Sequence, residues 1–114
     1  MNTIDRYAEF EVDGKKYKLL MTLKSILGCE KELANGNLIT TMAALKVQPL
    51  SLGDAYAIMK WGLYGAGECK KEEEVDAIFM ECMEGPGLPL IQQVTLEAIV
   101  KSGFAGKNVA AALR

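Results

Sequence analysis

Three thiols, Cys29, Cys69 and Cys82, are the most nucleophilic side chains in the 114-residue chain, which contains no histidine. A thiol or hydroxyl nucleophile ordinarily needs an adjacent base, and histidine is the commonest one. Ser-His-Asp and Cys-His sites are therefore excluded, and a zinc site loses its usual nitrogen ligand. The cysteine count is odd and no pair has C-x-x-C spacing, which reads as reduced thiols rather than a disulfide framework or a metal knuckle. Cys69 stands between Glu68 and the Lys70-Lys71 pair near a helix start, a setting that can lower a thiol pKa. Cys82 falls on an apolar stripe and reads as core.

The other groups capable of chemistry are carboxylates and glycines. Glu72, Glu73, Glu74 and Asp76 form an acidic cluster that could attract a cation, but consecutive residues on a helix point in different directions, so a solvated face is expected. Glu30 sits between Leu27 and Leu33 on an apolar stripe. It reads either as a buried, paired acid or as an edge carboxylate that reaches water or a lysine. Gly62-Leu63-Tyr64-Gly65-Ala66-Gly67 has the wrong order for the dinucleotide pattern G-x-G-x-x-G, and its glycines close a helix as caps. Gly106-Lys107 fails as a P-loop end, because Lys101 stands where glycine is needed and Asn108 where serine or threonine is needed. No catalytic residue, cofactor site or metal site emerges, and a non-enzymatic role is expected.

Composition sets wider bounds. Half of the residues are apolar, a quarter are charged and the net charge is −2, which gives no support for nucleic-acid binding by a basic face. The stretch 55–63 carries only Lys60, too little charge for a recognition helix. The polar, acidic start MNTIDRYAEFEVDG lacks the apolar region of a signal peptide, and no apolar run approaches a membrane span. These features predict a cytoplasmic protein without membrane association. The length suits one domain, 1–114, with one core.

The elements follow from spacing. Residues 7–21 predict a β-hairpin around Asp13-Gly14, a pair suited to a type I′ turn. That turn pairs Phe10 with Tyr17 and Ala8 with Leu19 on one face, and Glu11 with Lys16 and Glu9 with Lys18 on the other. Such a hairpin is marginal alone and must rest on helices or another subunit. Thr22 caps a first helix whose stripe is Leu23, Ile26, Leu27, Leu33 and Ala34, stopped at Asn35-Gly36. A short helix over 37–46 carries Leu38, Met42 and Leu45. Ser51 to Asp54 resembles a capping box opening a third helix, with Leu52, Ala55, Tyr56, Met59 and Leu63 on one face and Ile58 and Trp61 widening it. Little of that helix can face water, which places it centrally, and Gly62 would let a neighbouring helix approach. A fourth helix follows 68–74 with Val75, Ile78, Phe79, Cys82 and Met83, and Gly85-Pro86-Gly87 ends it. A fifth carries Leu90, Ile91, Val94, Ala98 and Ile99, and Asn108 caps a short tail. The expected fold is α+β, mainly α: a hairpin at about 7–21, then a compact bundle of four to five helices over 22–114.

Six methionines suit an adaptable binding surface as well as a core. The candidate partner-binding residues are Met59, Trp61, Leu63, Phe79, Met80 and Met83, on apolar faces that core and partner would share.

Three stretches together resemble the small tail assembly chaperones of long-tailed phages, prophages and gene-transfer agents, some of which are labelled tail tube proteins. They are Phe10-x-Val12-Asp13-Gly14-Lys15-x-Tyr17-x-Leu19, Leu27-Gly28-Cys29-Glu30-Lys31-Glu32-Leu33, and Trp61-Gly62-Leu63-Tyr64-Gly65-Ala66-Gly67. The resemblance covers roughly residues 8–67. It implies a non-enzymatic role in virion morphogenesis, in which the protein coats the tape-measure protein, helps recruit tail-tube subunits and leaves before the tail is complete. It also implies self-association, and a short form ending at Arg114 beside a frameshifted longer one. The alternative is a structural virion component, a minor tail or head–tail connector subunit.

Overall fold

The computed structural model describes residues 6–104, Gly106 and Leu113. Strands β1 (Ala8–Val12) and β2 (Lys15–Leu19) form an antiparallel pair in the expected register, Ala8 opposite Leu19 and Phe10 opposite Tyr17. Asp13 and Gly14 both take positive φ, 51° and 75°, as a type I′ turn requires. Ala8, Phe10, Val12 and Leu19 are buried, while Glu9 and Glu11 face water.

Five helices follow among the described residues, α1 (Leu23–Glu30), α2 (Leu38–Ala43), α3 (Leu52–Ala66), α4 (Glu72–Glu84) and α5 (Leu88–Ser102), with a 3-10 turn, Ala44–Lys46, extending α2. The architecture is α+β, mainly α. Local chemistry sets the helix starts. Thr22, Asn37 and Ser51 each accept a backbone N–H three residues on, from Ser25, Thr40 and Asp54. At α4, Glu74 reaches back to the N–H groups of Lys70 and Lys71, at 2.7 and 3.2 Å. Pro89 lies in the first turn of α5, where no intrahelical donor is lost.

Helix α3 is the hub, packed against β2, α1, α4 and α5. Ile58, Met59 and Leu63 are fully buried, as are Leu19, Val75, Ile91 and Ala98 from the surrounding elements. The hairpin lies on α3 and α5, which resolves its marginal stability within the monomer.

The structure corrects several expectations. Helix α1 ends at Glu30, before Asn35-Gly36, because the Cys29 carbonyl accepts from both Glu32 and Leu33 and closes the last turn. Leu33 turns into the core from beyond the helix, while Ala34 is exposed and donates its N–H to Asp54. That bond engages the carboxylate expected to complete the capping box at Ser51. Leu23 and Leu27 face outward, and α1 buries Ser25 and Cys29 instead. Leu52 is likewise exposed at the start of α3. Of the three glycines expected as caps, only Gly67 is one. Its φ is 77°, its N–H bonds the Tyr64 carbonyl, and Glu68 bonds the Leu63 carbonyl, a Schellman motif. Gly62 and Gly65 lie within the helix, where the chain leaving β2 crosses. What approaches Gly62 is therefore the end of a strand, not a neighbouring helix, and Leu20 donates its N–H to the Gly62 carbonyl at 3.0 Å. The tail with Asn108 as its cap lies outside the described residues, apart from Leu113, which is buried. Among the described residues no helix is long and apolar enough to cross a membrane.

Candidate partner-binding surface

The surface begins with the fit of α1 on α3. A Cβ on Gly28 would lie 2.6 Å from the Trp61 ring, so only glycine lets the indole rest on α1. Glu32, just beyond α1, and Tyr64, on α3, hold that ring in orientation. Glu32 accepts from Trp61 Nε1 at 3.1 Å, and Tyr64 meets the indole edge-to-face with centroids 5.5 Å apart.

The same glutamate pairs with Lys60. Lys60 Nζ lies 2.7 Å from Glu32 and 3.2 Å from Glu72, with 8% of its side chain exposed. Burial disfavours the ammonium, but the hydrogen bonds it donates to the two carboxylates outweigh that and the pKa is raised. The ion pairs tie the segment after α1 and the start of α4 to α3. The one cation of the stretch 55–63 is thus occupied beneath the surface. Glu30 is also structural: it is half-buried and its carboxylate accepts the Leu38 N–H at the start of α2, 2.8 Å away.

All three thiols are buried and their ionisation is disfavoured. Burial pushes Cys29 up to about 12, reinforced by Glu32 and Glu30. Burial also raises Cys69, to about 11, with Glu74 and Glu68 adding to it, so its setting acts opposite to the lowering its neighbouring lysines suggest. Cys82 is raised to about 11, again by burial first. A protonated thiol is a poor nucleophile and a poor ligand. Among the described residues no group of three or more His, Cys, Asp or Glu side chains is placed to hold a metal ion.

The arrangement that remains is an uncovered apolar surface. Leu23 and Leu27, one turn apart on α1, are 56% and 54% exposed. With Trp61, Gly28, Lys24 and Lys31 they line an open, mainly apolar groove of about 400 Å³. On the other side of Trp61 a concavity of about 470 Å³ is lined by Thr22, Lys24, Ser25, Tyr64, Gly65, Cys69 and Lys70. Lys24 and Trp61 belong to both, so the two form one track.

The residues singled out from the sequence are divided by the structure. Met59 and Leu63 are fully buried and Phe79 nearly so, its ring against Tyr56. They belong to the core of the monomer. Trp61 is half-buried at the track, Met83 is half-buried and Met80 is exposed on α4, and neither methionine lines the track. Leu23 and Leu27 were missed because their helical spacing predicts a core stripe. Gly28 is the signal that qualifies that reading, since a glycine inside a helix marks a close approach. Compared with protein-family models, with curated proteins and with solved structures, the chain matches none.

Proposed function

We propose that the protein is a non-enzymatic assembly chaperone of phage or prophage tails. In this reading it binds the tape-measure protein in the cytoplasm of a bacterial host, helps recruit tail-tube subunits, self-associates and uses no cofactor or nucleic acid. One observation supports it above the others: the three stretches that carry the resemblance pack as a unit. The end of β2 crosses α3 at Gly62 and Gly65, and α1 meets Trp61 at Gly28. Beside that joint the chain leaves two leucines and a tryptophan uncovered on one track. Uncovered apolar surface of this kind marks a site for another chain.

Co-expression with the longest tail protein encoded beside the gene tests the reading. The expected outcome is that this chain keeps that protein soluble, co-elutes with it and is absent from finished particles. A structural virion component is the second reading. Two exposed apolar sites well apart along the chain, Val47 with Leu52 and Phe104, favour it, since a subunit of a finished particle is contacted on several sides. Presence of the chain in purified particles, without binding to the tail protein, would establish that reading and exclude the chaperone.

A further inference from the structure

The track on α1 and α3 is charged on one side of neutral. Lys24, Lys31 and Lys70 line it, and no carboxylate is among its lining residues, although the chain as a whole has net charge −2. None of the three lysines makes an ion pair among the described residues, whereas Lys60, beneath the track, is paired twice. Leu23, Leu27 and Trp61 form the apolar floor between them.

We infer that this track is the docking groove for an acidic amphipathic helix, with apolar residues one turn apart on one face and glutamates or aspartates beside them. Two physical requirements select that occupant. Apart from Thr22, Lys31, Cys69 and Lys70 the lining residues lie on α1 and α3, and no residue of β1 or β2 lines the groove, so it offers no strand edge to pair with an extended segment. An occupant that buries apolar surface there must satisfy its own backbone, and a helix does so. The lysines on the rim, without an ion pair among the described residues, then select its charge. In the tail-assembly reading the helix belongs to the client, and the inference rests on that reading only for the client's identity.

Two synthetic helical peptides of about 18 residues test the inference. They share the same leucines, flanked by glutamates in one and by lysines in the other. Trp61 is the only tryptophan and lines the groove, so its emission reports occupancy directly. The glutamate peptide is expected to bind at least about tenfold more tightly than the lysine peptide, and to weaken several-fold as salt is raised. Leu27→Ser should abolish binding, and Lys24→Glu with Lys31→Glu should reverse the preference between the peptides. These positions are solvent-facing, and unchanged circular dichroism spectra would show that the variants fold. Equal binding of both peptides, or binding of neither, overturns the inference. So does self-association of the wild-type protein that Leu27→Ser abolishes, because a second copy would then be the occupant. The peptides come from no tail protein, so their failure leaves the co-expression result standing, and the two ideas fall separately.

Discussion

Helices α1 and α4 carry similar patterns and use them in opposite ways. Helix α4 turns Val75, Ile78, Phe79 and Cys82 inward and leaves most of its acidic residues, Glu72, Glu73, Glu74 and Asp76 among them, on the exposed side, as its spacing dictates. Helix α1 also has large apolar residues one turn apart, yet it buries Ser25 and Cys29 and presents Leu23 and Leu27 to solvent. Residues two apart on a helix point to nearly opposite sides, so one face must be given up for the other. On α1 the small face is the one buried, because the chain leaving β2, Ser25 and Gly65 meet too closely for a larger side chain. Each leucine left a little over half exposed forgoes roughly 1 kcal/mol of burial. The difference teaches that a face of small residues can outcompete a face of large ones when a neighbouring backbone comes close enough.

The most severe test of that account is Gly65→Ala. The new Cβ would stand 2.0 Å from the Leu20 carbonyl oxygen and 2.6 Å from Ser25 Oγ. A backbone carbonyl cannot swing aside as a side-chain tip can. The substitution should cost about 3 kcal/mol or more despite the better helix propensity of alanine. Urea denaturation measures it, and a near-wild-type midpoint would mean that α1 is not held against α3 by this contact.

A second test compares Cys29 on α1 with Cys82 on α4. Both thiols are raised in the folded state, to about 12 and about 11, from ordinary values near 9. A raised pKa contributes stability that is fully present below the unfolded pKa and is lost as pH rises through the folded one. Stability should therefore decline from about pH 9 upward, by ~1.4 kcal/mol per pH unit for each thiol. Cys82→Ala should flatten the decline up to about pH 11, and Cys29→Ala up to about pH 12. Denaturant midpoints measured at intervals across this range check the order: the variants should run in parallel up to about pH 11 and part between about pH 11 and 12, and equal slopes in that last interval would remove the distinction.

What was legible in the sequence, and what was not, divides along the same line. The hairpin was readable to the residue pair, because Asp13-Gly14 admits one turn geometry and the turn dictates every partner beyond it. The stripes of α4 and α5 were readable because large apolar residues and burial coincide there. On α1 they do not coincide, and periodicity counts large residues without knowing which backbone will come close. The premature end of α1 was hidden for a related reason: Leu33 continues the helical spacing but enters the core from a turn. The burial of Lys60 was not legible from its type either. A lysine reads as solvent-facing, and only the positions of Glu32 and Glu72, brought together by tertiary packing, make its burial tolerable.

Gly28→Ala probes the seat of Trp61 on a smaller scale. Here the obstacle is a side chain, with the indole carbons 2.6 Å from the new Cβ. Overpacking costs about 1–3 kcal/mol, and alanine returns about 1 kcal/mol of helix propensity. A net loss of about 1 kcal/mol is expected, with a shift in Trp61 emission as the ring leaves Glu32. A change of stability without any spectral shift would show that the ring is not seated on α1.

The smallest expected effect is the most informative for function. Leu27→Ser removes a large apolar side chain, yet that chain is 54% exposed. Its thermal midpoint should fall only slightly, with a loss of stability of at most about 1 kcal/mol. Ile78→Ala, the same loss of apolar bulk on α4, should cost about 2–4 kcal/mol because Ile78 is 8% exposed. If Leu27→Ser instead unfolds the protein, its leucine belongs to the core and α1 presents no docking face. If it leaves the fold intact, the apolar surface of α1 is not needed to hold the monomer together, and it stays open to the docking proposed above, beside Trp61 and three lysines that make no ion pair among the described residues.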